Sequence, residues 1–301
     1  MPACCIGGTA ERIGGVFDRA EQLSERLHSA PSQPRQVAPE TRSAHSASRW
    51  TLADIREAFA FLHDYSLAGV SKYVRACGIR LRQGRTQYYS PDPAYPQKEA
   101  RLLSVLRDVG QQPWRYVALF IDEMSYTRWP NPSSNWCAAA PAARPVADRQ
   151  HSRYQRYRVV GALDASSGRV CFQQASRISG EVFSRFVRTL AQAYPRAETI
   201  DLIWDNWPVH KCELVQQTLA QLPRLRVIAL PTYAPWLNPI EKLWRKFRQE
   251  VDYLHRFAGE WRQVRQRVAQ FFAQFAHGSP ELLTYVGLTG NGKLAEAIFS
   301  P

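Results

Sequence analysis

The stretch IDLIWDNWPVHK, residues Ile200–Lys211, decides how this chain is read. Its apolar run ends at Asp205, where a buried strand meets solvent. A second run, VALFI, ends in the same way at Asp122. Around these two lie further strand and helix signals. Strands are predicted over Tyr116–Ile121, Tyr157–Leu163, Arg169–Gln174, Ile200–Trp204 and Arg226–Leu230, and helices over Glu181–Tyr194 and His210–Leu222. Early strands joined through hairpins, followed by strand–helix units, predict an α/β fold with a mixed sheet and helices on its faces.

Sites in open α/β sheets form at the carboxyl ends of strands, so neighbouring strands would bring Asp122 and Asp205 together. Two carboxylates a few ångströms apart repel one another, and a divalent cation relieves that repulsion. Oxygen-only ligands suit Mg²⁺ or Mn²⁺, which bind carboxylates together with phosphate oxygens. A pair of such ions, about 3.5–4 Å apart, can serve both the attacking and the leaving oxygen of a phosphodiester displacement. Taken singly, each Asp can also be a turn residue at a strand end.

A third acid lies in LPTYAPWLNPIEKLWRKFRQEV, Leu230–Val251. Asn238 is placed to cap a helix with Pro239 in its first position and Glu241 two residues further on. The same spacing fits a capping box, in which Glu241 bonds back to the Asn238 backbone. Along this helix Ile240, Leu243, Trp244, Phe247 and Val251 form an apolar stripe. Glu241, Arg245 and Arg248 share another face, which fits either a metal ligand beside a DNA backbone or a surface Glu–Arg pair.

Upstream, Thr51 is placed to cap a helix ending near His63, and a second helix over Ser66–Cys77 stops at Gly78. Two short helices suit a helix-turn-helix. From Tyr65 to Pro91 the chain carries Lys72, Arg75, Arg80, Arg82 and Arg85 with no acidic residue. This is either a phosphate-contacting surface or a solvated helix face. SPDPAYPQ, Ser90–Gln97, is a proline-broken linker leading into a helix over Lys98–Val109. The predicted divisions are a disordered tail over 1–48 with a short helix around Arg12–Leu27, a helix-turn-helix over 49–90, a connecting segment over 91–112, a catalytic domain over 113–255 and a helical extension over 256–301.

Composition agrees with a nucleic-acid partner. The chain of 301 residues has 39 Lys and Arg against 26 Asp and Glu, a formal charge of +13, which favours a polyanion or, as the weaker reading, an anionic membrane surface. No run of about 18 apolar residues is present, so no membrane span is expected and a cytoplasmic address follows, on the nucleoid when DNA is bound. The six cysteines have no paired spacing that predicts a zinc site or a disulfide framework.

Three blocks in order, YVALFIDEMSYTRWPNPSSNW (Tyr116–Trp136), IDLIWDNWPVHK and LPTYAPWLNPIEKLWRKF (Leu230–Phe247), resemble the mariner-like bacterial insertion-sequence transposases of the DDE superfamily, the insertion-sequence-630 group. The resemblance covers roughly residues 50–255. It implies an RNase H-like catalytic domain in which Asp122, Asp205 and Glu241 hold two Mg²⁺ or Mn²⁺ ions. It also implies DNA cleavage and strand transfer into TA targets, and allows a homodimer on DNA. Asn206, His210 and Asn238 match supporting positions of the site, and Arg245 and Arg248 join the basic DNA-binding set. The 35 residues between Asp205 and Glu241 match the family's mid-thirties gap. Glu123 is the rival first ligand, but successive strand residues face opposite ways, and the resemblance favours Asp122. Trp50–Arg82 resembles only the second half of the family's two-part DNA-binding region. A DNA-binding protein derived from a transposase, or an RNase H-like nuclease without strand transfer, are the alternatives.

Overall fold

A computed structural model of the chain describes residues 50–81, 89–139, 141–149 and 154–299. The tail expected over 1–48, and Arg82 and Arg85, lie outside these residues. The chain divides into two compact units between Thr86 and Gln87.

In the first unit, α1 (Leu52–Ala58) is capped by Thr51 in a reciprocal capping box with Asp54. It ends sooner than the apolar spacing predicts, giving way to a 3-10 turn at Ala60–Leu62. Ser66 caps α2 (Leu67–Ala76) by accepting from the Gly69 N–H. Gly78 follows this helix with φ +77°, a backbone conformation that costs glycine little. Ile55, Phe59, Leu62, Val70 and Val74 form this unit's own small core. Lys72, Arg75 and Arg80 are exposed.

The second unit opens with α3 (Tyr95–Gln111), three residues earlier than predicted. The five strands are β1 (Tyr116–Thr127), β2 (Arg156–Asp164), β3 (Val170–Ala175), β4 (Thr199–Trp204) and β5 (Leu225–Ala229). They are ordered β3-β2-β1-β4-β5. The β1–β2 and β2–β3 pairs are antiparallel, whereas β1–β4 and β4–β5 are parallel. This is the mixed sheet that the hairpin-then-crossover pattern predicts.

Helices α4 (Gly180–Ala193) and α5 (Glu213–Ala220) accompany the parallel strands. The helix expected over His210–Leu222 begins instead as a 3-10 turn at Pro208–Lys211. After β5 come α6 (Ile240–Phe247), a π-turn over Arg248–Asp252, α7 (Trp261–Ala273), α8 (Pro280–Val286) and α9 (Lys293–Phe299).

Side chains alternate across β1 as the pleat requires. Ala118, Phe120, Met124 and Tyr126 enter a core shared with α3 and α6–α9. Val117, Leu119 and Ile121 enter the opposite core, which is shared with α4. The helical extension expected over 256–301 packs into the first of these cores: Val264, Val268, Phe271, Phe272, Leu282 and Val286 belong to it.

Candidate active site

β1 is longer than its apolar run. Asp122 lies within the strand rather than at its end, because β2 continues to pair with β1 through Thr127, placing Asp122 opposite Gly161. What ends near Asp122 is the parallel pairing with β4, whose last partners are Phe120 and Ile203. Continued two residues, that register would set Asp122 beside Asp205. The site therefore opens where β1 outruns β4, and both aspartates belong to the side of the sheet that carries α6.

Asp122 is held from two directions. Its Oδ2 accepts from the Trp244 indole N–H at 2.8 Å, and its Oδ1 from the Glu123 backbone N–H at 2.8 Å. Burial, and next the negative charge of Glu241, push its pKa up to about 8, against the opposing effect of the Trp244 hydrogen bond. Trp244 can lie this close because Gly161 has no side chain: a Cβ there would stand 2.6 Å from the indole.

Glu241 projects from the first turn of α6. The N-cap is Pro239, and no side chain caps the helix, so the expected Asn238 cap and the capping-box alternative are both absent. The proline's fixed φ starts this helix unaided. Asn238 contributes its carbonyl to the Glu241 N–H at 3.1 Å, while its buried Oδ1 has no partner among the described residues. Glu241 lies on an exposed stretch of α6, yet partial enclosure of its carboxyl group is the largest effect on it and raises its pKa. Arg248 opposes this rise, the charge of Asp205 adds to it, and a hydrogen bond with Asp122 and the charge of Arg245 oppose it.

Asp205 is more open, its side chain 58% exposed. Its Oδ1 accepts from the Trp207 N–H at 3.0 Å. Asn206 donates to the Thr232 hydroxyl at 3.2 Å. His210 is buried, 2% exposed, and contacts the Asp205 carbonyl at 3.1 Å and Glu123 Oε1 at 3.2 Å.

The predicted acids therefore share one end of the sheet, but among the described residues no three His, Cys, Asp or Glu side chains converge closely enough to hold an ion. The donor chemistry nevertheless fits a hard divalent cation. All three groups offer oxygen, and the pKa values of Asp122 and Glu241 are raised by burial and by the charge of a neighbouring carboxylate, which a cation would relieve. Exposed Asp205 has the freedom to turn towards such an ion.

Sequence reasoning placed Trp244 only in the apolar stripe and treated Glu123 as a rival ligand. The signal for Trp244 was its position one helical turn beyond Glu241, which puts both on the part of α6 nearest β1.

A five-stranded mixed sheet flanked by helices, with Asp122 on β1, Asp205 just past β4 and Glu241 on α6, is an RNase H-like fold. Residues 117–265 match the family model described as DDE superfamily endonuclease. A Shigella sonnei protein described as the insertion element IS630 uncharacterized 39 kDa protein is 27% identical over 202 residues, covering 67% of this chain. The match spans 57% of that relative's own length. Among solved structures, a Mos1 transposase paired-end complex with the left transposon end is similar at TM-score 0.55 and 15% identity, over 93% of this chain and 86% of that one. A Mos1 mariner paired end complex with Mn is similar at TM-score 0.56 and 17% identity, over the same shares of each chain. Residues 117–265 are thus similar to the DDE superfamily endonucleases, and the chain as a whole resembles the insertion-element relative in sequence and the Mos1 transposases in fold.

Proposed function

We propose that the chain is a DNA transposase that cleaves the ends of an insertion element and joins the freed 3′ ends to target DNA at TA steps. The observation that carries this reading is the pairing of Asp122 with Glu241 at the point where β1 outruns β4. Burial and the charge of Glu241 disfavour the ionised form of Asp122, and burial and the charge of Asp205 disfavour that of Glu241. The family supports the same reading, as do the descriptions of the Mos1 complexes, with a transposon end in one and Mn in the other.

Asp122, Asp205 and Glu241 would hold two Mg²⁺ or Mn²⁺ ions, with Asn206, His210 and Asn238 supporting the loops that carry them. When bound, divalent cations of this kind acidify an attacking water or 3′-hydroxyl and neutralise charge on the leaving oxygen. The chain's own part is positional and electrostatic. The Trp244 N–H sets the Asp122 carboxyl group, and the helix stripe seats α6 against β1. Exposed Arg245 and Arg248 offset the negative charge that a DNA backbone brings to Glu241. Lys72, Arg75 and Arg80 on the first unit would add phosphate contacts, so duplex DNA is the partner, engaged by a homodimer. TA suits the target because that step deforms easily.

Asp205→Asn keeps the size of the side chain and removes its charge. It is expected to abolish Mg²⁺-dependent cleavage of a duplex carrying the DNA that flanks the coding sequence, with duplex binding retained. Undiminished cleavage by each of Asp122→Asn, Asp205→Asn and Glu241→Gln would falsify the assignment.

A further inference from the structure

Glu123 has no part in the acid trio, yet it is one of the least expected side chains in the molecule. It follows Asp122 on β1 and so points to the other face of the sheet, where Leu119 and Ile121 enter the apolar core shared with α4. Its side chain is 12% exposed. A carboxyl group in such a place is costly unless it is paired.

Its partner there is His210. The imidazole is stacked on Trp204 at 4.7 Å between ring centres, lies 4.7 Å from Phe183, and meets Trp207 edge-on at 5.5 Å. Held in this aromatic slot, the ring has both nitrogens engaged: Nε2 with Glu123 Oε1 and Nδ1 with the Asp205 carbonyl oxygen. A carbonyl only accepts, so Nδ1 carries a proton. The contact at Nε2 then needs one further proton, held by either partner. The Asp205 side chain lies 3.5 Å from the same Nδ1.

We propose that Glu123 is a positioning residue which, through His210, fixes the backbone at Asp205 and so sets where that carboxylate can meet a metal ion. The inference rests on the reading of Asp122, Asp205 and Glu241 as metal ligands. β4 ends at Trp204, so Asp205 begins a segment outside the ladder, and a backbone anchor is what such a residue needs to present its carboxylate reproducibly. Outer partners that orient ligands in this way are worth about 10- to 100-fold in metal affinity. Asp122 faces one side of the sheet and Glu123 the other, so a single dipeptide serves the site twice: directly through its first acid, and through a histidine and a carbonyl by its second.

The test uses the full chain and Mn²⁺ alone, with bound and free ion separated by electron paramagnetic resonance and folding followed by thermal melts. Glu123→Gln keeps the length and a hydrogen-bonding end, and is expected to bind Mn²⁺ close to wild type. Glu123→Asp keeps the acid but falls one methylene short of His210, and is expected to bind about 10-fold more weakly. His210→Phe, which fills the slot without nitrogens, should match that loss, and the double variant should lose no more than either single one. Should Glu123→Asp lose its cooperative melt, the contrast between Glu123→Gln and His210→Phe decides the matter.

Wild-type affinity in Glu123→Asp or His210→Phe overturns the proposal. So do additive losses in the double variant. A loss in Glu123→Gln as deep as that in Asp122→Asn overturns it too, by making Glu123 a ligand. Undiminished Mn²⁺ binding by Asp122→Asn is a different failure: it removes the metal site itself and the proposal with it.

Discussion

Asp122 is set by a residue that has no side chain. Gly161, opposite it on β2, leaves room for the Trp244 ring, whose N–H then reaches the Asp122 carboxyl group. Trp244 is 1% exposed and sits in the core with Ile240 and Phe272, so it has little freedom to yield. Gly161→Ala is therefore expected to cost about 1–3 kcal/mol of stability by overpacking, measured by urea denaturation, and to lower cleavage by moving the indole off Asp122. A variant with unchanged midpoint and activity would show that the indole can shift without consequence.

At the level of elements, the segment before α3 is tied to the loop after β5. Asp92 accepts from Lys98 Nζ at 2.7 Å, from the Thr232 N–H at 3.0 Å and from the Ala94 N–H at 2.9 Å. Ser90 donates to the Thr232 carbonyl at 2.5 Å, and Thr232 in turn receives Asn206, next to Asp205. These bonds, that from Lys98 foremost, hold the Asp92 pKa down to about 2, below its ordinary 3.8. A carboxyl group with a depressed folded pKa contributes stability that is fully present above about pH 4 and is lost as pH falls through about 2. Asp92→Asn should thus differ from wild type by an amount that shrinks over that window, read from denaturation at stepped pH. A gap that stays constant from neutrality to pH 2 would assign the effect to packing alone.

The second unit is one structure through to α9. Phe272 of α7 stacks on Phe247 of α6 at 5.5 Å and meets Trp244 edge-on at 5.7 Å. It also packs against Phe172 of β3 at 5.2 Å. The C-terminal helices therefore brace the helix that carries Glu241. Phe272→Ala is expected to cost about 3–5 kcal/mol and to lower the melting of the whole unit, observed as a single shifted transition by calorimetry. An early, separate transition for the C-terminal segment would contradict this.

At the same scale, the division between sequence and tertiary structure becomes visible. By itself the sequence determined what depends on local spacing. It placed the Thr51 cap, the stop of α2 at Gly78, the end of β4 at Asp205, the apolar stripe of α6, the order of hairpins and crossovers, and the opposite facing of Asp122 and Glu123. Only the tertiary structure decided matters that depend on distant partners. Asp122 lies inside β1 because β2 goes on pairing after β4 has stopped, and an apolar run registers burial rather than hydrogen bonding. Glu241 is free of a capping role because Pro239 starts the helix and brings it towards Asp122, while Glu123 finds its use through a histidine 87 positions away. Local spacing determines which way a side chain can point; what it meets there is set by segments that only folding brings together.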